Sequence, residues 1–229
     1  MDEREVLAWL ERRGSRRNVE GMARYGIVTR ARVVGVSVGT LRQLAKQLGR
    51  DHAFALRLWD VGWYETRTLA ALVDDPAQVT PDQMDAWAAD LDNWAICDTV
   101  CFHLFDKSPH AWHKVEEWAT APGEFVRRAA FALMASLALH DKAAPDARFL
   151  PMLPLIERTA TDGRNFVKKG VSWALRAIGR RSPALLAAAQ PLARRLAVSA
   201  DGSSRWIGKD ALRDFRAAAQ RARARRKAR

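Results

Sequence analysis

Apolar residues recur along this chain at the three-and-four spacing of a helix, and no run alternates convincingly in the two-residue period of a strand. The pattern predicts helices over 3–12 and 15–25, parted by Gly14, then 41–48 capped by Thr40, 52–60 capped by Asp51, and 64–74. Val33 to Gly39 is locally β-like, but its two glycines favour a loop with close backbone approach. Beyond it, helices come in pairs joined by short turns: 81–90 with 94–105, 112–120 with 124–139, 147–160 with 164–180, and 183–199 with 205–221. Such a repeat, without close identity between copies, predicts an all-α fold. The expected architecture is a HEAT-like helical repeat solenoid, a curved array of antiparallel helix pairs whose second helices line a concave groove. One repeat domain over 1–221 is expected, with a basic tail over 222–229 that extends the last helix or frays.

One helix carries an anomaly. Asp92 or Asn93 caps a segment that runs uninterrupted by Gly or Pro to Phe105, so Trp94 and Asp98 sit one turn apart on a shared face. Ile96, Cys97, Val100, Cys101, Leu104 and Phe105 form a broad apolar arc, and Asp98 falls between Phe102 and Phe105. Burying a lone charge costs several kcal/mol, roughly, so this carboxylate is either paired or used. One reading is an ion pair at the rim of the core. The other is chemical: a carboxylate beside an aromatic face stabilises a developing cation and holds a water against it.

The remaining second helices show a face opposite the core. In 164–180, Val167, Val171, Ala174, Leu175 and Ile178 turn inward, leaving Lys169, Trp173, Arg176 and Arg180 on the other side. In 205–221, Ile207, Ala211, Leu212 and Phe215 turn inward, whereas Trp206, Lys209, Arg213 and Arg216 share the far face. In 124–139, Arg128 is placed opposite the stripe of Val126, Ala130, Leu133, Met134 and Leu137, with Arg127 at its edge. Basic residues so placed can grip successive phosphates of a duplex.

Charge supports that reading. Thirty-eight Lys and Arg against 26 Asp and Glu give a formal charge of +12, which favours a polyanionic partner, nucleic acid ahead of a membrane surface. Cys97 and Cys101, without a second pair or a His-rich tract, are expected to be reduced core residues, and no metal or cofactor is expected. The charged N-terminus and the lack of a membrane-length apolar run predict a cytoplasmic, nucleoid-associated protein.

Dispersed motifs carry a more specific signal. Asn18 to Gly26, Gly35-Val36-Ser37 with Leu41 to Lys46, and Leu58-Trp59 with Glu65-Thr66-Arg67 are three of them. Asp92-Asn93-Trp94 with Asp98, Arg127 to Phe131, and Asn165 to Lys169 with Ser172 to Arg176 complete the set. In this order, over nearly the whole chain, they resemble the AlkD-type DNA alkylation repair glycosylases. The resemblance implies a HEAT-like array that binds duplex DNA and hydrolyses the N-glycosidic bond of cationic alkylated purines, such as 3-methyladenine and 7-methylguanine, without drawing the base into a pocket. By position it makes Asp98 the catalytic carboxylate, Trp94 and Trp173 the aromatic pair at the sugar, and Arg128 a phosphate contact. Lys169, Arg176, Arg180, Trp206, Lys209, Arg213 and Ser37 are the further DNA-contact candidates, although Ser37 and Val38 depart from the longer or more polar residues that family members carry there. Double-stranded DNA with alkylated bases is the expected partner, and a monomer the expected state.

Two other readings stay open. A non-catalytic, structure-selective DNA-binding protein would keep the basic residues and use Asp98 as an ion-pair partner. A protein scaffold would need an exposed apolar ridge, where the sequence offers basic faces.

Overall fold

Side-chain caps fix where most of the helices begin. The computed structural model describes residues 1–227 and, for 222, 223 and 225–227, the backbone alone. Among the described residues are thirteen α-helices and no strand: α1 (Glu3–Arg12), α2 (Arg16–Met22), α3 (Val38–Leu48), α4 (His52–Val61), α5 (Tyr64–Val73), α6 (Pro81–Ala89), α7 (Trp94–His103), α8 (Ala111–Trp118), α9 (Glu124–His140), α10 (Met152–Thr159), α11 (Asn165–Arg181), α12 (Pro183–Ala197) and α13 (Gly202–Lys227). Short 3-10 turns follow α2 and α7 and precede α10. The all-α expectation holds, and so does the succession of helix pairs. The chain forms two compact units, Met1–Ala111 and Trp112–Arg229.

In the first unit α3 packs on α5, and α5 on α7. Trp59 of α4 and Trp87 of α6 stack face to face at 4.0 Å, inside a core that includes Leu41, Leu58, Leu69, Met84, Ile96 and Phe105. Two expectations shift here. α3 begins before Thr40, because the hydroxyl of Ser37 accepts from the Thr40 N–H at 3.2 Å and serves as the cap. The β-like stretch is indeed a loop, and Glu65 pins it. This fully buried carboxylate accepts N–H groups from Val34 (3.2 Å), Gly35 (2.7 Å) and Val36 (3.3 Å). Gly35 has φ +86°, and a Cβ there would come within 2.2 Å of the Ser15 carbonyl oxygen, so only glycine fits.

In the second unit α11 lies between α9 and α13. The inward stripe read for α11 is buried as expected: Val167, Val171, Ala174, Leu175 and Ile178. The helix expected over 147–160 is shorter, for Pro151 interrupts it and α10 starts only at Met152. α12 and α13 approach so closely that a Cβ on Gly208 would lie 2.2 Å from the Ala197 backbone nitrogen. α13 runs helical through Lys227, across the point where a tail was expected; 228 and 229 lie outside the described residues.

Asp162 ties successive turns of this unit together. It receives Arg127 Nη1 at 2.8 Å and Arg164 Nη2 at 2.6 Å, while Arg127 also donates to the Ala121 and Thr120 carbonyls. The hydrogen bond from Arg164 leads in holding its carboxyl down at about 2, against the opposing effect of burial. Because the folded value is depressed, this stabilisation is present above pH ~4 and is lost as pH falls toward ~2. Asp162→Asn is expected to lower stability at neutral pH by on the order of 1–2 kcal/mol, a figure discounted for solvent screening. In paired urea denaturations the gap to wild type should close between pH ~4 and ~2; a constant gap would contradict the assignment.

Candidate functional site

The N-terminus of α7 is clamped from the side by the segment 25–30. Asn93, itself buried, caps the helix by accepting from the Ala95 and Ile96 N–H groups at 3.1 and 3.0 Å. The neighbouring Asp92 turns to the clamp, accepting from Thr29 Oγ1 at 2.9 Å and the Arg30 N–H at 2.7 Å. Burial opposes ionisation of Asp92, but the bonds from Arg30, Asn93 and Thr29 outweigh it and hold the carboxyl below its ordinary value. Trp94 completes the clamp: its indole N–H donates to the Tyr25 carbonyl at 3.1 Å. That bond fixes the ring at the first turn of α7 and leaves it half-buried.

Asp98 follows one turn later on the same helix and is half-buried. Around it Ile96, Cys97, Val100, Cys101, Leu104 and Phe105 are buried, as the apolar arc predicted. Cys97 and Cys101 are free thiols. Burial, then Cys97, then the charges of Asp98 and Asp106 push the Cys101 thiol well up, so it stays protonated and inert.

Next to the clamp is a cleft of about 460 Å³ lined by Met22, Tyr25, Ile27, Val36, Ser37 and Tyr64 among others. Tyr25 is 75% exposed. Burial first, and then Glu65, raise the Tyr64 phenol to about 12, so it stays protonated on the cleft wall. Ser37 is exposed, and its hydroxyl is engaged in capping α3 and in contact with Thr40 Oγ1 at 2.8 Å.

In the second unit, two placements differ from the sequence reading. Arg128 is not on an open face but 5% exposed, and its Nη1 donates to the Phe166 carbonyl at 2.7 Å. The reason is that α9 has no solvent side over this stretch: every residue from Arg128 to Ala138 is buried, α11 packing across what looked like the outer face. The basic face of α11 and α13 is also less basic than the Arg and Lys positions suggested. Asp210 receives Ser172 Oγ at 2.7 Å and Arg176 Nε at 3.3 Å and is bonded to Arg213, while Asp214 is bonded to Arg180. These carboxylates were legible one turn beyond Trp206 and two turns beyond it, on the same stripe. Lys169 and Lys209 are exposed, and Trp206 is 40% exposed with Lys168 Nζ 5.2 Å from its ring centre. Trp173 is half-buried in the middle of α11, and Arg216 is exposed, its Nε bonded to the Leu212 carbonyl of its own helix.

The structure thus brings Trp94 and Asp98 together on α7 of the first unit, and carries Arg128, Lys169, Trp173, Arg176, Arg180, Trp206, Lys209 and Arg213 in the second. The profile of the family described as "DNA alkylation repair enzyme" matches residues 6–215. The chain belongs to the DNA alkylation repair enzyme family. No curated protein matches it. One similar solved structure comes from work described as "A new family of proteins related to the HEAT-like repeat DNA glycosylases with affinity for branched DNA structures"; it is 20% identical, covers 93% of this chain and 95% of that chain, and has a TM-score of 0.76. This likeness shows a HEAT-like fold for the family member described here. A designed armadillo repeat protein is similar at 14% identity over 77% of this chain and 92% of that one, with a TM-score of 0.34, too low to carry an argument. Among the described residues, no helix is long and apolar enough to cross a membrane. DNA binding follows from the family.

Proposed function

We propose that this DNA alkylation repair enzyme is a glycosylase that hydrolyses the N-glycosidic bond of cationic alkylated purines in duplex DNA, with no base-sized pocket required. The observation that carries this reading is Asp98 held half-buried one turn from Trp94, on a helix end locked by Asp92 and Asn93. An N-alkylated purine is already positively charged, so the C1′–N bond electrons pass to the ring and the base leaves neutral. Positive charge then grows on the sugar. The Asp98 carboxylate and the π face of Trp94 stabilise it, and Trp173 is assigned the same part by the resemblance. Water adds to C1′, and its proton passes to the Asp98 carboxylate. Lys169 and Lys209 are the phosphate contacts, while Arg176, Arg180 and Arg213 reach DNA only by sharing or leaving their carboxylate partners. Ser37 contacts DNA through the cleft beside Tyr25. Arg128 acts on a phosphate only with part of a guanidinium already committed to Phe166.

Substrate class tests the reading. With no general acid invoked for the leaving group, 7-methylguanine and 3-methyladenine should be released and neutral lesions such as uracil should not. Release of uracil at a comparable rate would contradict the mechanism. A second reading, a DNA-binding protein without base release, is favoured by the branched-DNA affinity named for the similar structure. It predicts tight, salt-sensitive binding to junctions and no free base from any lesion.

A further inference from the structure

α11 and α13 are held in register by a ladder of side chains, and its rungs differ in kind. Ser172 and Arg176 meet Asp210, which also holds Arg213, and Arg180 meets Asp214, so those two rungs are ionic. The rung nearest the start of both helices is Lys168 against Trp206, which has no carboxylate in it. Lys169, the next residue on α11, and Lys209, one turn along from Trp206, are exposed, and neither is ion-paired among the described residues. Lys168 with its neighbour Lys169, and Lys209 one turn from Trp206, therefore leave positive charge without a carboxylate at this end of the ladder, where the indole lies. That indole is 40% exposed, more than any other tryptophan, whereas Trp59, Trp87 and Trp118 are buried. A tryptophan held open beside lysines is poorly explained as packing, because exposing so large an apolar surface forgoes the stabilisation its burial would bring.

We propose that Trp206 is a stacking plate for an unpaired nucleobase, with Lys168, Lys169 and Lys209 holding the phosphates on either side of it. The proposal rests on the DNA-binding part of the function given above and adds a ligand class, nucleotides outside a duplex. A paired base presents only its edge, so its ring face cannot reach an indole; an unpaired one presents a π face of any sequence. Lys168, whose ammonium now lies over the ring, is bound to no carboxylate among the described residues and can turn to the phosphate as the base takes its place. The site is specific for single-strandedness and indifferent to sequence.

The test compares two fluorescently labelled probes in anisotropy titrations at one fixed salt concentration: an intact duplex, and the same duplex with a central gap of about five unpaired thymidines. The full chain is used as wild type, Trp206→Phe and Trp206→Leu, the last keeping apolar bulk without an aromatic face. Trp206→Leu should weaken the gapped probe about five- to fiftyfold, and at least about fivefold more than the intact duplex, while Trp206→Phe stays within about threefold of wild type on the gap. Equal losses on both probes, no loss, or identical behaviour of Leu and Phe would overturn the proposal. Base release from alkylated intact duplex, followed in parallel, separates the two readings. Release without a gap preference sinks only the stacking plate, and a gap preference without release sinks only the catalytic account.

Discussion

Asp98→Asn is expected to slow release of 7-methylguanine by about a hundred- to a thousandfold, the usual loss when a preorganised electrostatic contact to the transition state is removed. The substitution is nearly isosteric, so α7 should keep its caps and its apolar arc. On the proposed reading, what disappears is the negative charge opposite a sugar that turns cationic. Duplex affinity should hold or rise, since a carboxylate facing phosphates is repulsive in the ground state. That combination, slower chemistry with undiminished binding, is the signature of a group that acts in the transition state. Single-turnover rates and equilibrium binding on the same lesion duplex provide both numbers. A variant that loses binding and rate together would place Asp98 in the scaffold.

Glu65→Ala is expected to destabilise the first unit by about 3–5 kcal/mol, the largest stability effect of any single change considered. The carboxylate gathers the N–H groups of Val34, Gly35 and Val36, and its removal leaves them without an acceptor in a buried setting. Glu65→Gln retains an acceptor oxygen but turns an amide toward the same donors, so its cost should fall between. Urea midpoints measure both, and an Ala variant within about 1 kcal/mol of wild type would mean the loop is held by other contacts. Because this loop leads into Ser37 and the cleft beside Tyr25, the same variants should also weaken DNA binding by misplacing that wall.

Period, caps and turns made the fold legible. The apolar stripe of α11 is the stripe that is buried, Asp51 does cap α4, and α12 does open at Pro183. The Trp94 and Asp98 pair could likewise be read from spacing on one helix. What the sequence hid were contacts made between helices. A single-stripe picture of α9 placed Arg128 outside, but a helix with neighbours on several sides has no outside. A count of Arg and Lys positions treats a face as a sum of like charges, whereas Asp210 and Asp214, one turn apart on that face, cancel much of it. Local spacing marks Asp92 as a cap, but its partners Thr29 and Arg30 lie more than sixty residues away, where no local rule reaches.

The most direct test of the central claim is a single-turnover reaction of the wild-type chain with a duplex carrying one 7-methylguanine, counting free base and abasic sites together. The account predicts that both appear in equal amounts and at equal rates. Saturated binding of that duplex, with neither product formed above the spontaneous background, would contradict it.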